Sequence, residues 1–132
     1  MAGAAGVLAS PVLSWAQPAA GTEKLADDLY IVRVPGEAAV VAQTGRDGVL
    51  LVDGGSAAGS DAILKAVAAL PNGAGKVNTL FNTHWHPEQT GSNAKLAAAG
   101  ATIIAQENTR LWLQQNVTWP WNGQKFARSE EH

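Results

Sequence analysis

The sequence predicts a layered α/β domain, in which a mixed β-sheet carries helices on one of its faces. The first half of the chain holds short apolar segments separated by glycine-containing turns, which is the pattern of antiparallel strands. The second half alternates apolar segments with helix-like segments, which is typical of parallel strands joined by right-handed crossovers. With 132 residues, the chain has room for one domain.

The antiparallel part is predicted from three segments. Residues 29–34 are rich in β-branched side chains and end at a Pro-Gly turn, and residues 39–43 form a second strand. Asp47-Gly48 then supplies the positive φ that a tight hairpin connection needs. The third strand, residues 49–53, begins with a continuous apolar run, which indicates burial on both faces.

The parallel part is predicted from helices that begin at capping residues. A short polar side chain at the start of a helix can accept a hydrogen bond from the first turn. Gly100 can end the second of these helices in the left-handed conformation. The first helix is predicted to be capped by Ser60, the second by Ser92 or Asn93, and the third, residues 109–115, by Asn108. The predicted parallel strands in this part are residues 77–82 and 102–105.

One layer of helices leaves the second face of this sheet uncovered. Residues 49–52 and 103–105 look apolar on both faces, so that second face would expose more apolar area than a soluble monomer usually shows. We therefore expect either that the chain is part of a longer protein or that it self-associates with another copy.

The first 16 residues form a leader-like segment without a charged side chain. Ser14-Trp15-Ala16 places small residues at the −3 and −1 positions of a signal-peptide cleavage site. This pattern predicts a periplasmic or secreted protein with residues 17–132 as its domain; the alternative is a disordered tail on a cytoplasmic protein. Pro11 interrupts the apolar run, so no membrane span is predicted.

Composition excludes several classes of site. The net charge is −2, so no basic surface for nucleic acid is expected. The chain has no cysteine, which excludes disulfides, thiolate metal ligands and cysteine nucleophiles. Any metal site must therefore be built from nitrogen and oxygen ligands.

A histidine pair follows the strand at residues 77–82. His84 and His86 are two of the chain's three histidines, and residues two apart in an extended backbone point to the same side. Two imidazoles could therefore reach one cation, and Glu88 follows closely enough to reach the same place. The third histidine, His132, ends a polar run with no strand to position it, so it is expected to be solvated.

Two motifs of the chain resemble those of a known family. Residues 83–91, Thr-His-Trp-His-Pro-Glu-Gln-Thr-Gly, resemble the Thr-His-x-His-x-Asp-His-x-Gly signature of the metallo-β-lactamase superfamily. Residues 49–55 resemble that family's strand ending in Asp-x-Gly. The resemblance implies the amino-terminal half of an αββα sandwich, with the carboxyl-terminal half missing from this chain. It also implies a zinc-dependent hydrolase, in which metal-activated water attacks an ester, amide, thioester or phosphoester of an unknown small molecule.

The resemblance further implies roles for individual residues. His84 and His86 would be metal ligands, and Glu88 a third ligand or the catalytic base toward a bound water. Asp53 would orient a metal ligand through a hydrogen bond without touching the metal, or it would only form the turn after its strand. Two positions depart from the signature, since Glu88 replaces its Asp and Gln89 its next His. The neutral amide of Gln89 is a poor zinc ligand, which disfavours a two-metal site.

Two other functions stay open at this point. A non-catalytic scaffold or binding protein would keep the fold with an eroded metal site. The glycine-rich turn of residues 53–60 joins a strand to a helix and could bind a phosphate or nucleotide, although it contains no Gly-Lys-Ser/Thr.

Trp119 and Trp121 could line a substrate cleft or anchor a loop.

Overall fold

Six strands form one mixed sheet whose spatial order follows the sequence, in a computed structural model that describes residues 20–128. The strands are β1 (Gly21–Lys24), β2 (Leu29–Arg33), β3 (Val40–Gly45), β4 (Gly48–Val52), β5 (Val77–Asn82) and β6 (Thr102–Ala105). Strands β1 to β4 pair antiparallel, whereas β4, β5 and β6 pair in parallel. The predicted mixed sheet is therefore confirmed.

Helices connect the parallel strands, and a small hairpin follows the sheet. The helices are α1 (Ser60–Ala68), α2 (Pro87–Thr90), α3 (Asn93–Ala98) and α4 (Glu107–Leu113); the hairpin strands are β7 (Val117–Thr118) and β8 (Lys125–Phe126). Helix α1 joins β4 to β5, and α2 with α3 joins β5 to β6. The two crossovers leave the carboxyl ends of the parallel strands at one edge of the sheet.

The core lies between the sheet and helices α1 and α3. Ile63 and Val67 from α1 and Leu96 from α3 are buried together with Leu51 and Leu80 from the central strands. Fully burying an aliphatic side chain of this size stabilises a fold by about 1.5–3 kcal/mol. The strands β4 and β5, whose ends carry the motif residues, are therefore held firmly from the helical side.

An apolar row crosses the opposite face of the sheet. Ile31 pairs with Val41, Val41 with Val52, Val52 with Phe81, and Phe81 with Ile104, so five strands contribute to one row. Phe81 is 37% exposed and Ile104 is 40% exposed, because no described helix covers them. The expectation of an uncovered apolar face is confirmed.

The predicted glycine turns are confirmed. Gly48 has a φ of 125° in the hairpin that joins β3 to β4. Gly100 follows the C-cap of α3 with a φ of 86°. Both positions require a backbone conformation that glycine adopts without steric cost.

The predicted helix caps are mostly wrong. Helix α1 starts at Ser60 with Gly59 as its N-cap, and the buried Ser60 hydroxyl has no hydrogen-bond partner among residues 20–128. Ser92 does occupy the N-cap position of α3, but its hydroxyl donates to the Gly54 carbonyl instead of capping the helix. The Gln106 side chain caps α4 by accepting from the Asn108 amide at 2.6 Å, so α4 begins earlier than predicted.

Three short strands were not predicted. β1 is exposed along its whole length. β7 and β8 form a hairpin whose connection holds Trp119, which the sequence placed in a cleft or a loop. The predicted leader, residues 1–16, and His132 lie outside the described residues, so export stays a prediction. Between residues 20 and 128, the structure contains no helix that is long and apolar enough to cross a membrane.

Candidate metal site

The motif residues meet at the carboxyl edge of the parallel strands. Asp53 directly follows β4 and Thr83 directly follows β5, and these two strands pair in parallel. The Asp53 amide donates to the Phe81 carbonyl at 2.8 Å, and its φ of 62° then turns the chain away from the sheet. Aspartate is among the few residues other than glycine that enter this left-handed region with little cost.

A chain of hydrogen bonds runs from Asp53 through Thr83 to His84. The Asp53 carboxylate accepts from the Thr83 amide at 2.9 Å and from the Thr83 hydroxyl at 2.8 Å. The same hydroxyl lies 2.9 Å from His84 Nδ1. A hydroxyl has one proton, and here the carboxylate accepts it, so Nδ1 must be the donor in the second bond. With Nδ1 as the donor, the neutral form of His84 has its lone pair on Nε2, where a metal could bind.

His86 lies beside His84, as the spacing predicted. The two ring centroids are 4.7 Å apart and the ring planes meet at 71°. The Glu88 carboxylate stands 3.7 Å from Nδ1 of His86, and both side chains are partly exposed. The structure thus brings the four predicted site residues, Asp53 included, into one continuous cluster.

Zinc in a catalytic site normally has three protein ligands. Among residues 20–128, no three His, Cys, Asp or Glu side chains converge as a metal-binding group. Glu88 lies against His86 and does not complete a three-ligand set. The described part of the chain therefore offers two imidazoles and does not by itself fit a complete zinc centre.

Backbone contacts tie the two loops of the site together. Gly54 donates to the Gln89 carbonyl at 2.8 Å, and Gly91 donates to the Gly55 carbonyl at 2.9 Å. A Cβ at Gly91 would lie 2.8 Å from the Ser56 Cα, so only glycine fits there. The side-chain oxygen of Gln89 is buried without a hydrogen-bond partner among the described residues.

Glu37 occupies the glycine-rich turn, and sequence reasoning missed this residue. Its carboxylate accepts from the Ser56 amide and the Ser56 hydroxyl, each at 2.8 Å, and it packs against Gly59. A phosphate at this turn would compete for these donors and face a negative charge. The structure therefore argues against the phosphate or nucleotide site. No local signal identifies Glu37, because it reaches the turn from a distant part of the sequence.

A cavity of about 590 Å³ opens beside the histidines. Aromatic side chains from three separate elements line it, namely Trp85, Trp112, Trp119 and Phe126. The Trp119 and His86 ring centroids are 5.7 Å apart, so the cavity adjoins the candidate metal site. Trp121 does not line it and is 69% exposed.

Comparison with known proteins identifies the same family over most of the chain. The profile of the metallo-beta-lactamase superfamily matches residues 32–125. No curated protein sequence matches the chain. Several solved structures of metallo-β-lactamases have a fold similar to that of this chain. Three of them illustrate the range of sequence identity, from 22% to 27%.

The three structures share the fold at low sequence identity. BJP-1, a subclass B3 metallo-β-lactamase of Bradyrhizobium japonicum, is 27% identical with a TM-score of 0.60, over 70% of this chain and 35% of its own. A Cronobacter sakazakii metallo-β-lactamase with a HARLDQ motif is 24% identical with a TM-score of 0.62, over 76% and 38%. A B3 metallo-β-lactamase described as the first with an active-site glutamic acid is 22% identical with a TM-score of 0.68, over 83% and 43%.

The chain matches only part of the length of each of these proteins. The chain spans 35–43% of the length of these three proteins, which agrees with an amino-terminal half of their fold. The family profile covers most of the chain and includes both β4 and the histidine motif. The chain therefore belongs to the metallo-β-lactamase superfamily.

Proposed function

We propose that this chain supplies one half of the metal centre of a hydrolase, with His84 and His86 as metal ligands. The observation that carries the proposal is the bond from His84 Nδ1 to Thr83, which leaves Nε2 of His84 free beside the ring of His86. Zinc held by these two imidazoles together with further ligands would supply a bound water of lowered pKa for the hydrolysis of an ester, amide, thioester or phosphoester. The remaining ligands would come from outside residues 20–128.

Glu88 and Asp53 have different proposed roles. The Glu88 carboxylate lies 3.7 Å from Nδ1 of His86, where it orients that imidazole and would act as a base toward a bound water. As a third ligand it would first have to move, because no three-ligand group converges among residues 20–128. Asp53 acts only through Thr83, so it is a positioning residue.

Two structural neighbours share part of the composition of this site. The motif HARLDQ shares its first His, an acidic fifth residue and its last Gln with residues 84–89, but it has Arg where this chain has His86. Gln at the sixth position is thus compatible with a protein named a metallo-β-lactamase. The neighbour with an active-site glutamic acid likewise supports a carboxylate of that length in this fold.

The partner that we propose is a second sheet-and-helix unit of the same fold. It would pack on the apolar row that contains Phe81 and Ile104, and it would bring the missing ligands. The neighbours are more than twice as long as the part that this chain matches, which supports such a unit. A longer polypeptide or a second copy could provide it.

A non-catalytic scaffold is the second candidate function. It is favoured by Gln89 at a ligand position and by the lack of a three-ligand group among residues 20–128. Turnover of an ester or a β-lactam that a chelator abolishes and zinc restores would reject this candidate. Saturable zinc binding without any turnover would favour it.

The purified chain is expected to bind one equivalent of zinc reversibly. Two neighbouring neutral imidazoles favour the ion, but an incomplete ligand set makes the complex weak and open to chelators. The measurement is equilibrium dialysis of the chelator-treated chain against zinc, with the metal content determined per chain. A chain that takes up no zinc in a saturable manner would contradict the proposed half-site.

Replacing Thr83 by valine is expected to weaken zinc binding about tenfold, because loss of a group that orients a metal ligand typically costs 10–100-fold in affinity. Valine keeps the shape of the side chain but removes both hydroxyl bonds, to Asp53 and to His84. Zinc affinity would be measured by competition with a chromogenic chelator. Thr83→Ser is the control, since it restores the hydroxyl; equal losses in both variants would show that the hydroxyl does not position His84.

A further inference from the structure

We propose that the cavity beside the histidines binds a flat aromatic group that carries an anionic substituent. The cavity measures about 590 Å³, within the range of roughly 300–1,000 Å³ that is usual for small-molecule sites. This inference rests on the proposed function, because it names the substrate class of the same site. The binding itself uses side chains other than the two imidazoles.

The walls of the cavity favour a flat ring. Trp85 and Trp112 stack at 5.1 Å with an angle of 15° between their planes. Trp119 and Phe126 form a second pair at 4.9 Å, tilted by 55°. The first pair comes from the histidine motif and α4, and the second from the hairpin β7–β8. An aromatic ligand between such walls gains stacking or edge contacts in addition to the burial of its apolar surface.

The charges at the cavity favour an anion at one end. Lys125 lines the cavity and forms no ion pair with any residue from 20 to 128. Glu88 also lines it, but this carboxylate already faces His86. Lys125 belongs to β8 and Glu88 to α2, so the two charges come from different walls. The anionic substituent would therefore lie toward Lys125, away from Glu88.

The test compares three probes that share a naphthalene ring, namely 2-naphthoate, the flat and neutral 2-naphthamide, and a 2-naphthyl trimethylammonium salt. Each is titrated calorimetrically into the chain with a chelator present. The naphthoate is expected to bind about two- to fivefold more tightly than the amide, the range for a partly exposed ion pair. Lys125→Gln should remove this preference, and Trp112→Ala should weaken all binding. Trp112 is 45% exposed, so its replacement leaves the core intact.

The controls separate this inference from the metal site. Lys65→Gln, on the exposed surface of α1, removes a positive charge away from the cavity and should leave the preference unchanged. The variant His84→Ala, which keeps His86 opposite Glu88, should still bind naphthoate while binding zinc less tightly. Equal or tighter binding of the amide or the cation would overturn the inference. Zinc uptake without naphthoate binding would also overturn it, while leaving the proposed function standing.

Discussion

Replacing His84 and His86 together by alanine is expected to reduce zinc binding to the background level. The chain has no cysteine and only one further histidine, so the double variant loses every nitrogen ligand of the candidate site. Glu88 alone binds zinc weakly, because an isolated carboxylate is a poor substitute for imidazole at this ion. The measurement is zinc content per chain after dialysis at matched free zinc, with circular dichroism to show that the fold persists.

The two single alanine variants and a variant at His132 are the controls for this result. Each single alanine variant leaves one imidazole and should bind zinc less tightly than the unchanged chain. His132→Ala, which removes the third histidine, should bind as the unchanged chain does. A double variant that still takes up one equivalent would show that the pair is not the site. A loss with His132→Ala alone would place the metal near the carboxyl terminus.

The parallel half of the sheet could be predicted from the sequence because burial leaves a clear pattern. The run of residues 49–52 is apolar at every position, and the structure places it between β3 and β5. The two imidazoles were also predictable as a pair, since a two-residue spacing in extended chain brings side chains to one side. Strand β1 left no such pattern, because its four residues are all exposed. Its backbone bonds and an ion pair between Glu23 and Arg33 hold it to β2.

Parts of the site depend on which elements become neighbours in space. Thr83 stands in the motif, but its role emerges only because β5 pairs beside β4 and so brings Asp53 within 2.8 Å. Glu37 reaches the glycine-rich turn across 19 positions of sequence. The failure at α4 has a different, local cause, since the long side chain of Gln106 performs the capping that short polar residues usually perform. Local patterns cannot report such long-range or exceptional contacts.

Replacing Gly91 by alanine is expected to destabilise the fold by about 3 kcal/mol, the upper part of the usual range for overpacking. The φ of Gly91 is ordinary at −63°, so backbone strain is not the cause. The cause is a close approach, because the added Cβ would lie 2.8 Å from the Ser56 Cα and closer still to the Ala57 nitrogen. These are backbone atoms, which cannot rotate away. The bond from Gly91 to the Gly55 carbonyl would have to lengthen as well.

The measurement is the free energy of unfolding in urea, compared with that of Gly45→Ala. Gly45 is the matched control, because a Cβ there would meet only the Gly48 carbonyl oxygen at an ordinary 3.8 Å. A difference below about 0.5 kcal/mol between the two variants, the usual size of neutral surface changes, would contradict the tight contact between the loops. The same contact joins the loop after Asp53 to the helix after His86. The folded fraction of Gly91→Ala should therefore also bind zinc less tightly than Gly45→Ala does.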